Sequence, residues 1–296
     1  MNSGSFFFVA IFTLIVTSPF RVFGSESLMS PSPSPSILST NTRNAEDQFL
    51  LGRAYYRGEG VQQSYEKAGE WYRKSADQGN LKAMNNLGIM FLEGQGIPKN
   101  EAEGYRWIRM AAEKGDPRAS YLCGLLLCQG RGVSTNSEEG IQWLKKSAAM
   151  GNSTAEAKLG QDYLFGDDGV KKDPEAAFPL IKKAAEMGSP WACASMGHFY
   201  YLGQHVPADR EKAIKWFKKG IDLGEVGAAG EYGDLLLASG DPYNAYIYLT
   251  LAKGGPYARV EMALPECANR LTESQINEAG LKAEELRKKL TAAKKN

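Results

Sequence analysis

Apolar and polar positions follow a helical period through most of the chain. In the stretch EDQFLLGRAYYRG, Phe49, Leu50 and Tyr55 fall on one side of a helix, beside the small Gly52. The next stretch, SYEKAGEWYRKSADQG, places Trp71 on an apolar side, has charges on the opposite side and ends in glycine. The pattern therefore predicts two short amphipathic helices joined by a turn.

This predicted helix pair recurs along the chain at a nearly constant period. The glycine of the first helix recurs at intervals of 36, 36, 36, 37 and 36 residues, at Gly52, Gly88, Gly124, Gly160, Gly197 and Gly233. We call these the marker glycines. Nineteen residues later a large residue follows, Trp71, Trp107, Trp143 and Trp216, with Leu180 in the fourth unit after one inserted residue. A second glycine closes each unit, at Gly79, Gly115, Gly151, Gly188 and Gly224. The sequence is therefore a helical repeat.

The marker glycines predict how the two helices pack. Glycine inside a helix costs about 1 kcal/mol relative to alanine, so six in register imply a close approach of the partner helix. One isolated pair could not bury its apolar side, whereas stacked copies bury it against their neighbours. We therefore expect a stack of helix pairs.

The glycine-rich stretch YYRGEGV, from Tyr55, is the predicted turn inside a unit. A phosphate-binding loop would need a preceding strand and a lysine with serine or threonine after it, and neither follows here. The stretch instead recurs as FLEGQGI, LCQGRGV, LFGDDGV and YLGQHV. Glycine suits a turn with positive φ, and His205 and Asp167 or Asp168 replace it where it is lost. We interpret His205 as a turn residue rather than a metal ligand.

The stretch LGRAYYRGEGVQQSYEKAGEWYRKSADQGN resembles the Sel-one-like repeat, a relative of the tetratricopeptide repeat (TPR). The resemblance covers residues 45–255 as six repeats, with departures at the turn or tryptophan of the fourth and fifth units and a shortened sixth unit. It implies an all-α fold, a right-handed α-solenoid of stacked helix-turn-helix repeats that forms a TPR-like superhelix. It also implies an adaptor that binds proteins in the concave groove of that solenoid.

The groove residues follow from the tetratricopeptide pattern, in which the positions three before, one after and four after the marker glycine face inward. Carried over by position, with Trp191 six before its marker, the predicted groove residues are Phe49, Arg53, Tyr56, Asn85, Ile89, Tyr121, Leu125, Gln161, Trp191, His198 and Tyr201. Aromatic groups with a few polar donors suit an extended or helical peptide. Arg53 and Asn85 are the candidates for holding backbone or carboxylate groups. The alternative is that aromatics such as Tyr56 and Tyr201 pack against the next unit.

The two ends of the chain differ from the repeats. Residues 6–20 form an uncharged apolar run, which is short for a membrane span and typical of a signal peptide over residues 1–24, with an uncleaved anchor as the alternative. Residues 25–44 contain SPSPSPS and predict a solvated linker. Residues 256–296 predict capping helices, with Thr272 as a helix cap. We expect entry into the secretory route and no membrane insertion after cleavage.

Charge and cysteine content narrow the classes of partner. The chain has 35 basic and 34 acidic residues and a net charge of +1, which disfavours nucleic-acid binding. Its four cysteines, Cys123, Cys128, Cys193 and Cys267, show no metal-binding spacing and are expected to be small buried residues. We expect no cofactor or metal, and a monomer that binds proteins or peptides.

The competing interpretation is a secreted penicillin-binding or weak β-lactamase-like hydrolase, activities assigned to some secreted members of the family. Residues 64–67 fit Ser-x-x-Lys, in which a lysine activates a serine. The companion Ser-Asp-Asn and Lys-Thr-Gly motifs are absent, and Ser64 stands where a helix N-cap belongs. Since the two histidines offer no further catalytic motif, the sequence favours a non-catalytic adaptor or scaffold.

Overall fold

The computed structural model of the protein describes residues 43–255 and 257–293. The predicted signal peptide, residues 1–24, lies outside these residues, as does the predicted linker apart from Arg43 and Asn44. Helices and turns account for the described chain, and no strand occurs in it.

The described chain divides into two compact units, residues 43–180 and 181–293. The first seven helices belong to the first unit: α1 Ala45–Arg57, α2 Tyr65–Asp77, α3 Leu81–Glu93, α4 Glu101–Glu113, α5 Pro117–Gln129, α6 Ser137–Ala149 and α7 Ser153–Phe165. Helix α8, Pro174–Glu186, contains the boundary. The second unit continues with α9 Pro190–Leu202, α10 Arg210–Asp222, α11 Ala229–Ala238, α12 Pro242–Ala252, α13 Val260–Ala268 and α14 Glu273–Ala293.

Side-chain caps fix where these helices start. In the first unit each helix from α1 to α7 follows an Asn, Ser or Asp whose side chain accepts a hydrogen bond from a backbone N–H of the first turn, namely Asn44, Ser64, Asn80, Asn100, Asp116, Asn136 and Asn152. Such a cap satisfies one of the N–H groups that a helix start leaves unpaired. The helix boundaries are therefore encoded locally.

Left-handed residues fix where the first helix of each pair ends. Gly58, the first glycine of YYRGEGV, caps α1 with φ of 73° and donates its N–H to the Ala54 carbonyl. The predicted turn conformation is thus confirmed. Asp168 and His205, which replace glycine in later turns, have φ of 52° and 59°. Asp and His tolerate this conformation better than most side chains, as the sequence predicted.

In the first unit, α1 packs with α2, α3 with α4 and α5 with α6, and each pair also contacts the helix that follows it. The pairs cross at the marker glycines. A Cβ built on Gly124 would lie 2.8 Å from the Gly140 carbonyl oxygen and 2.8 Å from Leu144 Cγ. Leu125 and Leu144 form a buried core with Leu159 of α7.

In the second unit, α9 packs with α10 and α11 packs with α12. A Cβ on Gly197 would lie 2.7 Å from the Phe217 ring, which repeats the glycine crossing. Helix α14 packs on α12 and places Leu290 in the core of this unit. Thr272 begins α14 with a capping box, because its Oγ1 accepts from Gln275 N–H while its own N–H donates to Gln275 Oε1.

The predicted fold class is confirmed: the described chain is all-α and built from helix-turn-helix pairs that stack on the next helix. None of the described helices has the length and apolar character needed to span a membrane.

The glycine crossing is tested by a pair of alanine substitutions. Gly124→Ala is expected to lower the free energy of unfolding by about 1–3 kcal/mol, because the new methyl group must displace the Gly140 backbone. Gly280→Ala is the matched control, since the α14 glycine has no atom within 4 Å of a new Cβ and alanine there should stabilise by about 0.5–1 kcal/mol. Urea denaturation measures both, and an equal effect of the two substitutions would refute the crossing.

Candidate functional site

The predicted groove residues of the first unit lie on the first helices of its pairs and differ in exposure. Phe49 is 7% exposed, Asn85 is 3% exposed and Leu125 is 3% exposed. The remaining ones are half-buried: Arg53, Tyr56, Ile89, Tyr121 and Gln161. Phe49 and Leu125 therefore contribute mainly to packing. The half-buried residues form the accessible part of the predicted groove.

Two of the polar candidates have buried atoms that find no hydrogen bond within the described chain. Arg53 Nε on α1 and Asn85 Oδ1 on α3 are both in this state. A buried donor or acceptor without a partner costs about 1–3 kcal/mol. Both residues lie on the first helices of successive repeats, at positions that the sequence assigned to the groove. Both therefore have unused hydrogen-bonding capacity at positions assigned to the groove.

Tyr56 lies at the contact between the first and second repeats. Its hydroxyl donates to Gln95 Oε1 in the turn after α3, at 2.8 Å. Its ring packs edge-on against Tyr65, with centroids 5.1 Å apart. Burial, followed by the charge of Tyr65, raises the pKa of Tyr56, so its hydroxyl stays protonated and can donate. The contacts of Tyr56 therefore support the interpretation that it packs against the next repeat.

A charged cluster that sequence reasoning missed lies on α7 and the turn after it. Lys158 is hydrogen-bonded to Asp162 and Asp168, and the Asp162 side chain is fully buried. Burial raises the pKa of Asp162 to about 6, from an ordinary 3.8. Burial raises the pKa of the Tyr121 hydroxyl to about 12, and the charges of Lys158 and Asp162 also act on that hydroxyl. The cluster therefore borders the predicted groove residue of α5.

The sequence contained a signal for this cluster. Lys158 and Asp162 are four residues apart on one helix, a spacing at which side chains meet. Asp168 belongs to the one turn with an inserted residue. A lysine bound to two carboxylates is neutralised within the protein, so Lys158 offers no free positive charge to a ligand.

In the second unit the predicted groove residues Trp191, His198 and Tyr201 all lie on α9. His198 Nδ1 lies 3.3 Å from Glu231 Oε2 on α11. Tyr201 is 43% exposed, whereas Trp191 is half-buried. The Tyr201 ring is therefore accessible from solvent.

Ser64 caps α2, as predicted. Its Oγ accepts from the Lys67 backbone N–H at 3.3 Å and donates to Glu66 Oε2 at 3.0 Å. The Lys67 ammonium lies over the Tyr55 ring, 5.4 Å from its centroid. In the Ser-x-x-Lys stretch, Ser64 therefore acts as a helix cap and Lys67 makes a cation–π contact.

The cysteines lie mainly in the interior of the packed helices. Cys123, Cys193 and Cys267 are buried, and Cys128 is half-buried. Burial raises the pKa of the Cys128 thiol to about 11, so it is not a thiolate at neutral pH. Among the described residues no group of three or more His, Cys, Asp or Glu side chains is placed to hold a metal ion.

The helix pairs, the glycine crossings and the left-handed turns together define a helical-repeat protein of the tetratricopeptide-like class. The Sel1 repeat family model matches residues 45–80, 81–116, 117–152, 153–189 and 192–225. The chain therefore belongs to the Sel1 repeat family. The sixth predicted repeat is not among the matched segments, although α11 and α12 pack as a pair.

Solved structures agree with this assignment. The chain is 31% identical to a Sel1 repeat protein from Oxalobacter formigenes, with a TM-score of 0.65, over 82% of this chain and 88% of that one. It shares its fold with the immunity protein PA5088 from Pseudomonas aeruginosa, at 18% identity and a TM-score of 0.51, over 83% of this chain and 87% of that one. No curated protein matches the chain. Proteins with this repeat fold are commonly non-catalytic scaffolds for protein interactions.

The buried Asp162 predicts a pH-dependent stability. Its folded pKa is raised, so its stabilising contribution is fully present below the unfolded value of 3.8 and is lost as the pH rises through about 6. From pH 4 to pH 7 the wild type should lose on the order of 2 kcal/mol of unfolding free energy relative to Asp162→Asn. Urea denaturation across this range measures the difference. Asp77→Asn, at an exposed site on α2, is the control and should show no such change.

The cap at Ser64 predicts a specific pattern of substitutions. Ser64→Ala should lower the unfolding free energy by about 1 kcal/mol, whereas Ser64→Asn should retain it, since both Ser and Asn side chains cap helix starts. Thermal and urea denaturation followed by circular dichroism distinguish the two variants. Equal losses in both would contradict the capping role.

Proposed function

We propose that the chain is a non-catalytic adaptor or scaffold that binds segments of partner proteins along the first helices of its repeats. In this proposal the protein acts as a monomer in the secretory route. The apolar run of residues 6–20 motivates the compartment. The observation that carries the binding role is the pair of unpaired polar atoms, Arg53 Nε and Asn85 Oδ1.

A ligand would supply what these atoms lack. Their desolvation cost is already present in the unbound protein, so a ligand that displaces the side chains covering these buried atoms recovers it through a new hydrogen bond. Arg53 donates and suits a carbonyl or carboxylate, whereas an amide such as Asn85 both donates and accepts and suits a peptide backbone. The half-buried Tyr121 and Ile89 would add apolar contact. An extended peptide carries this combination of backbone groups and side chains.

The charges around this region favour Arg53 as the anchoring cation. Arg53 Nε has no hydrogen-bond partner in the described chain, whereas the Lys158 ammonium is bound by two aspartates. Arg57, on the same helix, is exposed and pairs with Glu59 at 3.4 Å. The two arginines of α1 thus differ in exposure and in pairing, and they offer a matched comparison.

The adaptor role is tested with peptides selected from a random displayed library against the wild-type chain. Arg53→Ala and Asn85→Ala should each weaken the selected peptides by about tenfold or more, since each removes a buried hydrogen-bonding group. Arg57→Ala should change the affinity less than about twofold, because an exposed charge contributes little. Fluorescence anisotropy measures the dissociation constants, and circular dichroism confirms that the variants fold.

Two results would refute this role. One is a selection that yields no binding peptide. The other is a set of peptides whose affinity is the same for wild type, Arg53→Ala and Asn85→Ala, which would place binding on another surface.

A further inference from the structure

The segment between α12 and α13 folds back onto α11. The Tyr257 ring lies against the backbone of Gly230, so closely that a Cβ built on Gly230 would be 2.3 Å from Tyr257 Cδ1. The Tyr257 hydroxyl donates to Asp234 Oδ2. Arg259 Nε lies 3.2 Å from the same oxygen. We call residues 257–259 the pinned segment.

Asp234 is the centre of this contact. Its side chain is 10% exposed, and its second oxygen, Oδ1, is buried without a hydrogen-bond partner in the described chain. A carboxylate that receives both a hydroxyl and a guanidinium makes charge-assisted hydrogen bonds, which are about twice as strong as neutral ones. Burial, together with the Asp234 hydrogen bond, raises the pKa of Tyr257, so the hydroxyl remains a donor.

The contact involves positions of α11 that have equivalents in the other repeats. Gly230 stands three residues before the marker Gly233, and Asp234 stands one after it. These are the positions that Phe49 and Arg53 take in the first unit of the repeat. The pinned segment therefore covers, on α11, the helix positions proposed to contact a ligand elsewhere.

The chemistry of these two positions is particular to α11. Three positions before the marker glycine, the first three repeats have an aromatic or amide side chain, Phe49, Asn85 and Tyr121. In α11 this position is Gly230, whose bare backbone leaves room for a flat ring. Position one after the marker is acidic in α11 alone, since the earlier repeats have Arg53, Ile89, Leu125, Gln161 and His198. The α11 surface thus fits an aromatic ring and a cation.

We propose that the pinned segment is an intramolecular ligand, and that the α11 surface formed by Gly230 and Asp234 binds a partner-protein segment with an aromatic residue two positions before an arginine. The partner segment exchanges with the chain's own Tyr257 and Arg259. This inference rests on the proposed function, because it takes the same helix positions as ligand-contacting, and it adds the chemistry of the ligand and a self-occupied state.

Self-occupation sets the conditions for partner binding. A segment joined by a short linker acts at an effective concentration of about 1 mM, so a free peptide of equal affinity competes poorly. Removing the two anchoring side chains should therefore open the surface. Wild type and opened chain then differ in affinity for the same peptide.

The test uses a fluorescent peptide of residues 254–262, GGPYARVEM, and the full chain. The opened chain carries Tyr257→Ala and Arg259→Ala and should bind the peptide with a dissociation constant below about 1 mM, whereas wild type should bind it about tenfold more weakly or worse. Adding Asp234→Asn to the opened chain should weaken binding by about tenfold. A peptide with alanine in place of its tyrosine and arginine is the matched control.

Several results would overturn the proposal: no binding to the opened chain up to about 1 mM, equal binding to wild type and opened chain, or binding indifferent to Asp234→Asn. A second measurement does not depend on folding of the opened chain. In wild type, an excess of free peptide should raise amide exchange at residues 257–259, and unchanged exchange would also overturn the proposal. The Arg53→Ala chain should behave as wild type here, so failure on α11 is distinguishable from failure of the adaptor role.

Discussion

The structure depends on one steric constraint, the contact between the two helices of a pair where neither has room for a larger side chain. At Gly124 the absence of a Cβ brings the backbone of α6 within contact distance of α5, through the Gly140 carbonyl and Leu144. A close crossing excludes water and fixes the rotation of each helix about its axis. That rotation decides which positions of the first helix enter the core and which ones stay accessible.

The first helices consequently divide into packing positions and positions with unused chemistry. Leu125 is a core residue, although the tetratricopeptide pattern placed it in the groove, because it packs with Leu144 and Leu159. Arg53, at the same repeat position as Leu125, and Asn85, three positions before its marker glycine, have polar atoms without partners in the described chain. On α11 the corresponding surface is contacted by Tyr257 and Arg259. These differences fall at positions where one repeat has a residue that its neighbours lack.

Much of the fold was readable from the sequence because it is specified by local, periodic signals. The marker glycines, the cap at Ser64 and the left-handed Asp168 each act within a few residues of their position, and each was predicted with its physical role. The contact of Lys158 with Asp168 and that of Tyr257 with Asp234 were not predicted, since they join residues 10 and 23 positions apart that no period relates. The burial of Phe49 and Asn85 was also missed, because position in a pattern does not fix exposure.

The caps that surround each helix have a consequence for how such a chain changes length over evolution. An Asn, Ser or Asp starts the helices of the first unit, and a left-handed glycine such as Gly58 or Gly94 ends the first helix of a pair. Duplicating or losing a whole 36-residue segment therefore copies or removes complete helices together with their own start and stop signals. A deletion of one or two residues inside a helix would instead rotate its apolar side away from its neighbour, so changes in the number of helices should proceed by whole repeats.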